Sequence, residues 1–248
     1  MKTKVSIPIV MLFCLLVGQV QAAETPPIIE TFSCHLNEGS DAGDVQSAVD
    51  NWKQQVKKID NEALNQYAAW MVTPIRSPLP YNFYWLGGSP NMNTWAKGGA
   101  AYAASSEGQA AQARFDKIST CTSQTWVSEQ LMGDGPQTDD NGVMEVYGCT
   151  LHKGKTMSNV RAVEENYVKT AKAAGVGQSI FRFSPMHTNG DVDLLYLVGY
   201  GDMESYGSTV TQIFTTDSTR TANQYFSLVM DCGSGLYNVD TIKAPPSE

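Results

Sequence analysis

Apolar and polar positions alternate from Thr31 to Leu36. Phe32, Cys34 and Leu36 share one face, and Ser33 and His35 the other, which is the period of a strand. A polar stretch with two glycines, Asn37 to Gly43, follows. Val45, Ala48, Val49, Trp52, Val56 and Ile59 then recur at helical spacing as one apolar stripe, with Asp41 or Asp44 placed to cap its start. Ala69 to Pro74 predicts a short strand ended by its proline. Asn82 to Leu86 predicts an aromatic strand stopped by Gly87-Gly88. Asn91 to Ala113 is helical by composition, weakened at Gly98-Gly99 and Gly108, and Ile118 to Leu131 closes the unit as a strand. The predicted order is β-α-β-β-α-β.

The chain states this pattern twice. Cys34, Leu36 and Gly39 fall on Cys149, Leu151 and Gly154 at one offset (149 − 34 = 115), which also carries Val45 onto Val160 and Trp52 onto Tyr167. With small slips, Pro74 falls on Pro185 and Cys121 on Cys232 (both 111), and Gly87 on Gly199 (112). Under the last offset Tyr84 aligns with Tyr196. An ordered series of this length indicates duplication, at a period far beyond that of solenoid repeats. The second unit predicts a strand over 145–151 and a helix striped by Val160, Val163, Tyr167 and Ala171, capped by Ser158 and ended at Gly175. Further strands are predicted over 179–184 and 193–198, a Thr- and Ser-rich helix within 202–222, and a last strand region over 225–239. The expected division is a signal peptide over 1–22, a leader over 23–30, repeats over 31–131 and 143–243, a linker over 132–142 and a tail over 244–248.

A duplicated β-α-β-β-α-β unit is the ferredoxin-like split βαβ. Through the repeated C-x-L-x-x-G before a helix, and the run Asn82-Phe-Tyr-Trp-Leu-Gly-Gly continuing to Trp95, the chain resembles the dimeric α+β barrel superfamily in tandem single-chain form. The resemblance implies an α+β fold: two ferredoxin-like repeats packed sheet to sheet as a pseudo-dimeric barrel. It spans nearly all of the chain beyond residue 22 but selects no chemistry. The superfamily includes cofactor-free monooxygenases, haem-binding and haem-degrading enzymes and isomerases. In the implied topology the first and fourth strands of each unit are antiparallel neighbours. Of the three connectivities open to four cysteines, this favours Cys34–Cys121 and Cys149–Cys232.

Residues 1–22 have the form of a secretory signal, with Lys2 and Lys4, an apolar run from Ile9 to Val17, and Val20-Gln21-Ala22 as a cleavage site; an uncleaved anchor is the alternative. Cys14 falls within it. The remaining chain has 25 acidic and 15 basic residues (17 less Lys2 and Lys4), a net charge of −10. That excess argues against nucleic acid and anionic membrane as partners. Export to the periplasm or medium suits an even number of cysteines paired as disulfides. No CxxC spacing points to zinc, and no cofactor is indicated.

On the first strand of each unit the apolar face is assigned to the helices, so Ser33, His35, Gly148 and Thr150 face the barrel interior. On the next strand, Trp70, Val72, Phe181 and Phe183 take the helix side, so Met71 and Arg182 face inward. His35 and Arg182 would then share a polar patch in a cavity between the sheets, suited to an anionic or carbonyl-bearing ligand. Tyr84, Trp85 and Tyr196 are the aromatic candidates for lining it, and the face of the aromatic strand that does so is open. A three-histidine metal site from His35, His152 and His187 has no supporting spacing. Three readings stand: a protein binding a small, partly apolar or aromatic molecule; a cofactor-free monooxygenase-like enzyme with His35 as base and Arg182 stabilising an enolate-like anion; and a structural protein with a filled barrel.

Overall fold

The computed structural model describes residues 25–133, 142–188, 190 and 192–245. The expected signal segment and most of the expected linker lie outside the described residues. The first half runs β1 (Ile28–Leu36), α1 (Ala42–Val56), a short α2 (Glu62–Asn65), β2 (Ala68–Arg76), β3 (Phe83–Ser89), α3 (Met92–Ala104), α4 (Ser106–Ile118) and β4 (Ser119–Met132). The second runs β5 (Gly142–Leu151), α5 (Met157–Ala173), β6 (Ser179–His187), β7 (Leu194–Tyr200), α6 (Met203–Thr215), α7 (Asp217–Gln224), a 3-10 turn (Tyr225–Leu228) and β8 (Met230–Lys243).

Local chemistry sets these boundaries. Asp41 caps α1 by accepting from Gly43 N and Asp44 N, and Asp44 returns the bond to Asp41 N. In α5 the cap is Thr156 with Asn159, two residues before the expected Ser158. The long helix expected from 91 to 113 breaks at Ser105, whose hydroxyl accepts from Gly108 N. A Cβ at Gly108 would lie 2.0 Å from Tyr102 O, so only glycine fits that joint. The expected leader also shortens, because Ile28, Ile29 and Glu30 already belong to β1.

All strand pairs are antiparallel, and hydrogen-bonded neighbours follow the closed order β1-β3-β2-β8-β5-β7-β6-β4, with β4 returning to β1. Each half supplies a four-stranded sheet ordered fourth-first-third-second. The halves join edge to edge, β2 to β8 and β4 to β6. Cys34 faces Cys121 and Cys149 faces Cys232 across antiparallel ladders, and both pairs are disulfides, each with Cα atoms 4.1 Å apart.

The outer faces carry the helices. In the first half Val49 and Trp52 pack on Cys34, Met71, Phe83 and Trp85; in the second Val160 and Tyr167 pack on Cys149, Ile180, Leu194 and Tyr196. A third cluster lies on the barrel side of the strands, built on Val72, Leu86, Met144 and Tyr237, with Trp70, Tyr84 and Leu197 against it.

Two expectations about facing are thereby corrected. Met71 lies on the helix side and Val72 in the barrel, the reverse of the assigned parity. Arg182 likewise faces α5, while Phe181 pairs with Leu197 of the barrel cluster. On β2 and β6 the barrel side is apolar as well, so large apolar side chains there do not identify the helix side. The repeat offset also needs one residue of correction on the third strands. Cys34 faces Phe83 and Cys149 faces Leu194, so the equivalent of Trp85, not of Tyr84, is Tyr196. A one-residue slip moves every side chain to the other face.

One side chain ties the last strand to the first half. Lys243 Nζ donates to the carbonyls of Leu64, Asn65 and Tyr67 at 2.9, 2.8 and 2.6 Å, at and just beyond the end of α2. Lys243→Met keeps the apolar stem and leaves those acceptors without their cation. The expected loss is about 1–3 kcal/mol, read as a lowered urea midpoint at unchanged m-value.

Candidate functional site

Each half holds a cavity between its sheet and its helices. The larger, about 520 Å³, lies in the second half. Tyr147, Tyr167, Tyr196, Tyr200, Tyr206 and Phe226 form much of its wall, and Glu164 and Gln178 supply polar groups. The strands β5 and β7 place Tyr147, Tyr196 and Tyr200 outward by their period of two, and α5 brings Glu164 and Tyr167 over them at helical spacing.

Glu164 is the best-connected of these groups. Its Oε1 accepts from Tyr196 OH at 2.7 Å, and its Oε2 accepts from Arg182 Nη1. The second guanidinium nitrogen, Arg182 Nη2, donates to Glu129 Oε2. The side chains of Arg182 and Glu164 are 2% and 4% exposed and that of Glu129 57%, so this is a buried ion pair with one wet partner. Burial pushes the Glu164 carboxyl above its usual range, against the pull of Tyr196 and Arg182. Burial and the neighbouring Glu164 push the Tyr196 phenol up. Burial and Glu145 do the same for Tyr147 and Tyr200. Gln178 Nε2 donates to Tyr167 OH at 2.9 Å, while Gln178 Oε1 is buried without a hydrogen-bond partner.

The residues named from sequence are dispersed. His35 is exposed, its ring 4.7 Å from that of Tyr81, and Tyr81 leads to Tyr84 at 5.6 Å. Tyr84 lies in the barrel cluster, with its hydroxyl buried and unpaired. Trp85 lines the smaller cavity and Tyr196 the larger. Arg182 and His35 therefore do not form one patch: one is paired beneath α5, the other sits at a mouth of the barrel in the other half. The cavities lie outside the barrel rather than between the sheets. His152 Nε2 is 3.2 Å from Asp231 Oδ2, and His187 is exposed at the end of β6. Among the described residues no group of three or more His, Cys, Asp or Glu is placed to hold a metal ion. Sequence reasoning misses Glu164 and Gln178. Glu164 falls on the stripe of α5, four residues after Val160 and three before Tyr167, so an acid on an otherwise apolar helix face was the available signal.

No protein-family model and no curated protein matches the chain. Solved structures do. A proposed monooxygenase from Lactobacillus acidophilus NCFM superposes with a TM-score of 0.60 at 12% identity, over 88% of this chain and 98% of that one. A proposed chlorite dismutase gives 0.54 at 11%, over 88% and 95%. A heme-binding protein from Thermus thermophilus gives 0.52 at 9%, over 87% and 91%. The chain has the fold of the dimeric α+β barrel proteins.

The larger cavity does not fit haem. Haem iron takes His, Cys, Tyr, or Met beside His. No histidine lines the cavity, and Cys232 is held in a disulfide. Tyr147, Tyr196 and Tyr200 have their phenols pushed up, which opposes the phenolate that iron would need.

Proposed function

We propose that this chain binds a small aromatic molecule bearing a hydroxyl or similar hydrogen-bond donor in the cavity between the second sheet and α5–α7. The observation that carries the reading is the unpaired, buried Gln178 Oε1 in a wall of tyrosines beside Glu164. An orphaned buried acceptor costs free energy that a ligand's donor recovers. The Glu164 charge is already paired with Arg182, so Glu164 itself calls for no cation from the ligand. The volume falls within the range of small-molecule sites. The likeness of fold to a proposed monooxygenase and a heme-binding protein supports small-molecule binding as the use of such a scaffold.

An enzymatic reading is favoured by one feature, the Glu164 carboxyl with a raised pKa in an aromatic cavity. In it Glu164, rather than His35, takes a proton from an acidic substrate O–H or C–H. Arg182 keeps an electrostatic role behind the carboxylate.

The test is thermal melting with a panel of hydroxylated bicyclic and tricyclic aromatics, 1-naphthol first. A ligand at a hundred times its Kd stabilises by about 2.7 kcal/mol. Gln178→Leu is expected to weaken 1-naphthol by roughly tenfold, or 1.4 kcal/mol, and to leave naphthalene unaffected. A panel in which nothing raises the melting temperature counts against binding; oxygen uptake with a bound member would favour the enzyme. Two readings of origin and place belong with this one: the halves descend from one duplicated unit, supported by their equal strand orders, and the chain is exported, supported by its two disulfides.

A further inference from the structure

The smaller cavity, about 300 Å³, lies between the first sheet and α1–α4. Its chemistry differs from that of the larger one. Trp52, Tyr67, Trp85, Trp95, Tyr102 and Phe115 provide the aromatic wall. Trp52 and Trp85 meet edge to face at 4.8 Å, and Trp85 and Phe115 at 5.7 Å, which fixes the rings as a packed box rather than a loose lining.

Glu30 lies in this box. Tyr67 OH donates to Glu30 Oε1 at 2.7 Å, and Trp95 Nε1 donates to Glu30 Oε2 at 2.8 Å. Trp85 Nε1 donates to Tyr67 OH at 3.0 Å, holding the phenol in place. Both donors to the carboxylate are neutral. They orient the carboxylate but leave its charge standing, whereas Glu164 in the other half has Arg182. Among the described residues Glu30 has no Lys, Arg or His partner, and no basic residue lines the cavity. Asp116 adds a second carboxylate. The arrangement is built in: a Cβ at Gly87 would lie 1.8 Å from the Tyr67 hydroxyl oxygen, so only glycine lets that hydroxyl reach between Trp85 and Glu30. On α3, a Cβ at Gly99 would meet nothing within 4 Å, leaving room in that wall.

We propose that the first cavity is a binding site for a small organic cation of the methylated ammonium class, held by the aromatic box and charge-paired to Glu30. Aromatic faces attract such cations through the ring quadrupole, most strongly where water is excluded. A weakly hydrated quaternary ammonium loses little on entering an apolar box, and it supplies the positive charge that Glu30 lacks. A neutral molecule of the same shape meets the same walls without that pairing. This site is separate from the aromatic-ligand cavity and stands or falls apart from it.

The experiment is titration of the full protein with choline and with its neutral isostere 3,3-dimethylbutan-1-ol, followed by tryptophan fluorescence and calorimetry. Choline is expected to saturate and the isostere to bind on the order of tenfold more weakly or not at all. Saturating 1-naphthol leaves choline affinity unchanged, because it occupies the other half. Glu30→Gln is expected to weaken choline by about tenfold and to leave the isostere where it was. The wild-type comparison of the two probes decides the case even where that variant does not fold. Equal affinity for choline and isostere, no saturable choline binding, or full choline affinity in folded Glu30→Gln each overturns the proposal.

Discussion

Arg182→Met is expected to cost about 3–5 kcal/mol at neutral pH, because it leaves Glu164 buried without its cation. The guanidinium is 2% exposed and serves two carboxylates, of which only Glu129 can turn to water. The sign with pH follows from Glu164. Its pKa is already raised by burial, and removing Arg182 raises it further. A carboxyl with a raised folded pKa contributes stability that is full below its unfolded value, near 4.3, and is lost as pH rises through the folded value. The variant therefore recovers part of its deficit on going from pH 7 toward pH 5. Arg182→Met combined with Glu164→Gln recovers more, since a neutral amide no longer needs the cation. Urea melts at pH 5 and pH 7 check both points. A single variant as stable as the parent at pH 7 contradicts the placement of Arg182 beneath α5.

Loss of the second disulfide, by Cys149→Ala with Cys232→Ala, is expected to cost about 2–4 kcal/mol. For a chain of this size that is a fall of very roughly 4–16 °C in melting temperature. The bridge joins β5 to β8 with a sequence separation of 83 and closes nearly the whole second half. Cys232 also lines the aromatic cavity, so the pair of substitutions loosens that wall. The first bridge, with a separation of 87, is expected to behave alike. Peptide mapping without reduction checks the pairing first. A bridge between halves, or four free thiols, contradicts the strand register.

The topology is legible in the sequence because its signals are local or doubled. Alternation around Cys34 and Cys149 marks the first strands, the stripes of α1 and α5 mark the helices, and the topology that the family resemblance implies makes the cysteine-bearing strands neighbours. Facing is legible only on β1 and β5, where one side is clearly more polar. On β2 and β6 both sides are apolar or nearly so, because one face meets helices and the other the apolar cluster inside the barrel. There the lone Arg182 reads as a cavity residue, whereas a helix-borne acid 18 positions earlier in sequence neutralises it. The site escapes sequence reasoning for the same reason. Glu164 and Glu30 acquire meaning from partners 32 and 65 residues away, Tyr196 and Trp95, and no spacing within one element announces such pairs. The glycine at position 87 reads as a strand stop, and the structure shows it making room for Tyr67.

A crystal structure of the protein with the panel member that stabilises it most locates the aromatic ligand. The ligand is predicted between the β5–β8 sheet and α5–α7, with its donor on Gln178 Oε1 and its rings among Tyr167, Tyr196 and Phe226. Ligand density inside the barrel, against Tyr84 and Tyr237, would contradict the account.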